Sequence, residues 1–163
     1  MVNQTSRSYF PSKNVSVRKG TPDMGIHQKH ILIVDDFKDD RDMYGHYLVQ
    51  KGFRVSFAVD GQEAIDKAFQ LQPDLILMDL WLPIIGGWEA TRRLKSDEKT
   101  KHIPIVVLTA RAFVVAASLG CDGCLIKPCL PEDMTAEINR IFTKSAQATA
   151  IPAQAGVQSP TAT

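Results

Sequence analysis

The run His30–Val34 (HILIV) is short and apolar after its leading histidine, and it stops dead on Asp35-Asp36. Three later runs share that form: Asp74–Asp79 (DLILMD) ends on an acid, Ile105–Leu108 (IVVL) meets Thr109, and Cys124–Ile126 meets Lys127. Continuous apolar runs without alternation are the mark of strands buried on both faces, which is the condition of a parallel sheet. The segments between them fit that reading. Residues 39–51 carry Met43, Tyr44, Tyr47 and Leu48 at helical spacing and end at Gly52. Phe53–Ala58 reads as a further strand. Asp60-Gly61 opens a helix with Ala64, Ile65, Ala68 and Leu71 on one face, and Pro73 ends the loop before the third strand. After the loop LWLPIIGG, a helix is predicted over Trp88–Lys95, and a last one carries Met134, Ile138 and Ile141. Strands alternating with helices at this spacing predict a five-stranded parallel α/β sandwich with helices on both faces.

In such a sheet a ligand site gathers beyond the carboxyl ends of the strands. Those ends bring together Asp35, Asp36, Asp79, Thr109 and Lys127. Three carboxylates in one place repel one another unless a cation neutralises them. A donor set of hard oxygens, with no His or Cys in it, favours Mg2+ and leaves room for a phosphate. A neighbouring Lys and Thr suit phosphoryl oxygens, and an Asp carboxylate can be a nucleophile. The set reads as metal-assisted phosphoryl transfer onto a protein carboxylate. Taken singly, each has a plainer reading: Asp35 or Asp36 as a helix cap, Asp79 as a loop cap, Thr109 as a strand-end hydroxyl, Lys127 as a solvated cation. Their placement at successive strand ends is what gives the set its force.

ILIVDD, AVDGQEA, LILMDLWLP followed by GG, VVLTA and the Lys-Pro of CLIKP stand in the order found in receiver domains of bacterial response regulators. Over about residues 29 to 144 the chain resembles that chemotaxis-regulator-like family. The resemblance implies the flavodoxin-like receiver fold with strand order 2-1-3-4-5. It implies that Asp79 accepts phosphate from the phosphohistidine of a sensor histidine kinase or phosphotransfer protein. It further implies that Asp36, Asp79 and the backbone carbonyl of Trp81 bind Mg2+ (or Mn2+), with Asp35 helping through water. Thr109, the backbone amide of Ala110 and Lys127 would hold the phosphoryl oxygens, and Pro128 would follow a cis peptide. Trp81 and Arg111 would flank the path of the hydrolytic water, and a bulky indole there predicts a long-lived phosphorylated form.

Two departures from the family pattern stand out. Between Thr109 and Lys127 the chain is about four residues short, close to one helical turn, which predicts a stubby fourth helix in ARAFVVAASLG. Its Phe113-Val114-Val115 run is either an exposed contact patch or packed back on the sheet. Cys124 stands where the family carries a switch aromatic, so the coupling from site to surface is expected to be weaker. This motivates the alternative of a constitutive interaction module that no longer switches. A haloacid-dehalogenase-type hydrolase wants a second Asp two residues after its nucleophile, and Trp81 occupies that position. His27, His30, His46 and His102 are scattered.

All three cysteines fall in CDGCLIKPC, Cys121 to Cys129. No second C-x-x-C or His pair completes a zinc site, and packed free cysteines are expected. An odd count with no secretory h-region points to a reducing cytoplasm, and no apolar run reaches the length of a membrane span. Net charge is +1, which gives no global argument for nucleic acid. Residues 1–28 form a basic arm expected to be disordered and solvated. From Ser145 to residue 163 the chain has no charge and reads as a disordered tail. No DNA-binding or other output pattern follows Phe142, so a stand-alone receiver without direct DNA binding is expected, acting through a partner or onward phosphotransfer.

Overall fold

A computed structural model describes residues 28–110 and 120–149. Arg111, the Phe113–Val115 run and the helix expected around them lie outside the described residues, as do nearly all of the basic arm and the last fourteen residues of the tail.

The described elements are β1 (His30–Val34), α1 (Lys38–Gln50), β2 (Arg54–Ala58), α2 (Gly61–Leu71), β3 (Leu75–Asp79), α3 (Gly87–Ser96), β4 (Ile105–Thr109), β5 (Gly123–Ile126) and α4 (Pro131–Thr149). The five strands form one sheet in the order β2-β1-β3-β4-β5, and every neighbouring pair is parallel. This is the expected flavodoxin-like topology.

Successive strand residues point to opposite faces, and the two faces carry separate cores. Leu32, Val34, Ile76, Met78, Ile105 and Val107 pack with Ala64 and Ala68 of α2 and Ala90 and Leu94 of α3. Ile31, Ile33, Leu75, Leu77, Val106 and Leu108 pack with Tyr44 and Leu48 of α1 and Met134, Ile138 and Ile141 of α4. Full burial of each such Leu or Ile contributes about 1.5–3 kcal/mol. Among the described residues, no helix is long and apolar enough to cross a membrane.

Local chemistry sets the helix ends. Asp60 caps α2 by accepting from the Glu63 amide at 2.8 Å, and Glu63 Oε2 accepts from the Val59 amide at 2.7 Å. The pair satisfies two otherwise orphaned donors reciprocally. Gly52, at φ 91°, turns the chain out of α1 in a conformation that disfavours any residue with a Cβ. The final helix corrects the sequence reading: α4 continues to Thr149, five residues into the stretch expected to be tail. Ser145–Thr149 has too little apolar surface to suggest order, but Ala and Gln propagate a helix that packing has already nucleated.

The amino ends of the strands are tied together by side chains. Asp74 accepts from Lys29 Nζ at 2.7 Å and from the His30 amide at 2.8 Å, joining β3 to β1. Ser56 Oγ lies 2.9 Å from His30 Nε2, and Arg54 Nη2 lies 2.8 Å from His30 Nδ1. A guanidinium only donates, so Nδ1 is the acceptor and the proton sits on Nε2. Asp122 Oδ2 accepts from the Ile105 amide at 2.9 Å and from Lys95 Nζ at 2.6 Å, fastening β4, α3 and the entry to β5.

Candidate functional site

Val34 of β1 is paired with Met78 of β3, which sets Asp35 beside Asp79 as the two strands end. Both acids are buried, whereas Asp36 faces solvent. One carboxylate oxygen from each of Asp35, Asp36 and Asp79 lies within 4.8 Å of the other two. Thr109, the last residue of β4, is buried. Its carbonyl accepts from the Lys127 amide at 2.8 Å, so β4 fixes where the chain leaves β5. The Lys127-Pro128 peptide bond is cis.

Lys127 crosses the site as a bridge. Its ammonium donates to Asp35 Oδ2 and to Asp79 Oδ2, each at 2.6 Å. The second oxygen of each acid is held by the backbone: Asp35 Oδ1 accepts from the Phe37 amide and Asp79 Oδ1 from the Trp81 amide, both at 2.9 Å. Arg41 Nη1 donates to the Asp35 carbonyl at 2.6 Å. Burial pushes the Asp35 carboxyl above its ordinary pKa, despite the opposing hydrogen bonds from Lys127 and the Phe37 amide. For Lys127, burial alone would depress the ammonium, but its bonds to Asp35 and Asp79 outweigh that and raise it. The lysine is therefore a fixed cation between two buried acids.

Asp40, in the first turn of α1, was not among the residues singled out from the sequence. Its Oδ2 lies 3.3 Å from Lys127 Nζ. The available signal was an acid four residues after Asp36, one turn into the helix leaving the site. Phe37, Asp40, Asp79, Trp81, Ala110 and Lys127 line an open cleft of about 320 Å³. The Trp81 side chain is 64% exposed at its rim. Ile84, in the same β3–α3 loop, is 84% exposed and has φ 65°, an unfavourable backbone for a β-branched residue.

The Lys127 ammonium thus contacts three carboxylates, those of Asp35, Asp40 and Asp79, two of them buried. Asp35, Asp36 and Asp79 are hard oxygen donors close enough to share one small divalent cation, and the cleft leaves space beside them. The residues fit Mg2+ and offer no soft ligand for zinc.

None of the three cysteines is in a disulfide, and all three are half-buried. Cys121 packs on the α2/α3 face and Cys129 on the α1/α4 face. Cys124 stands in β5 opposite Val107 of β4. Burial raises the pKa of all three thiols, as it does for thiols that serve as small hydrophobes.

Residues 31–139 match the family described as the response regulator receiver domain. The chain belongs to that family. It is 37% identical over 119 residues to the DNA-binding dual master transcriptional regulator RpaA of Synechocystis, covering 71% of this chain and 49% of RpaA. The chain therefore spans about half the length of that regulator. It is 35% identical over 104 residues to the polar-differentiation response regulator DivK of Brucella ovis, covering 61% of this chain and 85% of DivK. Among solved structures it is similar to the chemotaxis response regulator CheY4 of Vibrio cholerae, with TM-score 0.66 and 30% identity over 70% of this chain and 98% of that one. The receiver domain of the sensor histidine kinase PA1611 from Pseudomonas aeruginosa, solved with magnesium coordinated in its active site cleft, matches with TM-score 0.67 and 29% identity, covering 71% of this chain and 98% of that one. Receiver domains are signalling modules of two-component systems, and this chain is one of them.

Proposed function

We propose that the protein is a phosphoacceptor in a Mg2+-dependent phosphorelay, and that Asp79 is the residue phosphorylated. The observation that carries this reading is the Lys127 ammonium 2.6 Å from Asp79 Oδ2 and from Asp35 Oδ2, with Asp36 within metal-sharing reach. Asp36, Asp79 and the Trp81 carbonyl would hold the ion directly, and Asp35 through water. When bound, the ion neutralises the acids and the charge that develops on the transferred group.

The remaining chemistry belongs to the chain. The Asp79 carboxylate attacks phosphorus as the bond to the donor imidazole breaks, and the histidine nitrogen leaves with that electron pair. Lys127, the Thr109 hydroxyl and the Ala110 amide bind the phosphoryl oxygens. The donor is a sensor histidine kinase or phosphotransfer protein in the cytoplasm. The signal leaves by partner binding or onward transfer. The magnesium in the related PA1611 receiver supports the choice of ion.

Incubation with a small phosphodonor and Mg2+, followed by a phosphate-affinity gel, tests the assignment. A shifted band lost in Asp79→Asn is expected. An equal shift in that variant would overturn it.

Cys124 favours a second reading, in which the domain binds partners without switching. It sits in β5 with no aromatic ring to follow Thr109. Partner affinity that beryllofluoride leaves unchanged would decide for it.

A further inference from the structure

Each of the four oxygens of the two buried acids already accepts a hydrogen bond. Asp35 Oδ1 and Asp79 Oδ1 accept from backbone amides, and both Oδ2 atoms accept from Lys127. A divalent cation bound at Asp79 repels the Lys127 ammonium, which sits 2.6 Å from the same carboxylate. The Lys127 side chain is only 17% exposed, so release straight into water would require it to withdraw from the cleft. Within reach stands one further acceptor, Asp40 Oδ2 at 3.3 Å, on a side chain that is 39% exposed.

We propose that Asp40 is a positioning residue for Lys127, taking the ammonium when a divalent cation claims Asp79. The proposal rests on the metal-assisted reading of the site given above. Its direction follows from the distances. With Lys127 seated on Asp35 and Asp79, the contact to Asp40 is the longest of the three and adds least. Once the bond to Asp79 is surrendered, Asp40 can close on the ammonium to a full ion pair. A group that interacts more strongly in one of two states shifts the balance toward that state. Asp40 thus eases cation binding by lowering the cost of displacing the lysine. Asp40 sits on α1, 87 positions from Lys127 in the chain, so the device joins α1 to the loop after β5.

The proposal is tested by Mg2+ titration of the full chain, followed through Trp81 fluorescence and repeated with Mn2+ by electron paramagnetic resonance. Urea unfolding of every variant confirms the folded state. Asp40→Asn is expected to weaken Mg2+ binding about twofold to fivefold, the range of a half-exposed ion pair. Asp40→Glu should recover most of the loss. In a Lys127→Met background the Asp40→Asn change should have no effect, because no ammonium needs a second seat. An equal loss in that background would show that Asp40 merely adds negative charge, and would overturn the positioning role. Unchanged or tighter binding for Asp40→Asn in the parent overturns it as well. Asp79→Asn separates the two readings: if it leaves Mg2+ affinity intact, or the parent binds no Mg2+, the site reading falls and this inference with it. Loss in Asp79→Asn with a silent Asp40 series sinks only the inference.

Discussion

Gly87 at the start of α3 lies against the backbone of Asp79, so closely that a Cβ on it would stand 1.7 Å from the Asp79 carbonyl oxygen and 2.9 Å from Leu80 Cα. The obstacle is backbone in a buried strand, which cannot rotate away as a side chain would. The Gly87 amide also donates to the Leu80 carbonyl at 3.1 Å, which pins the helix start to the strand end. Gly87→Ala is therefore expected to lower stability by about 1–3 kcal/mol, the usual cost of overpacking, and to weaken Mg2+ binding by shifting Asp79. Urea midpoints and a Mg2+ titration measure the two effects. A variant as stable as the parent would refute the close contact.

His30 gives a pH dependence whose sign follows from its neighbours. Burial first, then the Arg54 guanidinium, hold its pKa below the ordinary histidine value, with Asp74 opposing them. The unfolded chain therefore takes up the proton more readily than the folded one, and stability is lost as pH falls through the ordinary value toward the folded one. Lys29 and Ser56 complete the surroundings. Urea unfolding should show lower stability at pH 5.5 than at pH 7.5, and His30→Gln should flatten that difference. Equal slopes for the two proteins would assign the dependence elsewhere. Carbon-13 shifts of the ring should report the proton on Nε2 at neutral pH.

Trp81 places an indole at the mouth of the cleft beside Asp79. On the phosphoacceptor reading proposed above, that indole would flank the path of the water that hydrolyses the aspartyl phosphate. The phosphorylated parent is expected to decay several times more slowly than phosphorylated Trp81→Asn, as followed by loss of the shifted band after removal of the donor. A parent half-life equal to or shorter than that of the variant would remove the shielding role.

Asp60→Ala takes away the cap of α2 and leaves the Glu63 amide without its 2.8 Å acceptor. A loss of about 1 kcal/mol is expected, read as a lower urea midpoint with an unchanged slope. Because Asp60 is not among the carboxylates grouped with Asp79, Mg2+ affinity should stay at the parent value.

The ease with which the site is read from the chain has a physical source. A strand buried on both faces has no room for a charge until it leaves the sheet, so Val34 to Asp35 and Met78 to Asp79 are abrupt steps in sequence as well as in space. The buried β4 gives way to the Thr109 hydroxyl in the same manner, whereas β5 is only half-buried and Lys127 follows the exposed Ile126. Asp40 lacks that contrast, because it sits among other acids on a solvated helix turn and its partner lies far along the chain. Asp74 and Asp122 were invisible for a related reason: each looks like an ordinary loop acid until its strand neighbours are known. The last turn of α4 was missed because composition reports the surface a segment can bury, whereas a helix can be extended by residues that bury little.

The side-chain ties at the amino ends of the strands have a mechanical consequence. Asp74, the His30-Arg54-Ser56 group and Asp122 anchor that edge of the sheet, while the opposite edge ends in loops. The sheet is built like a comb gripped along its spine. A change of charge at Asp79 therefore acts on strand tips whose far ends are held together.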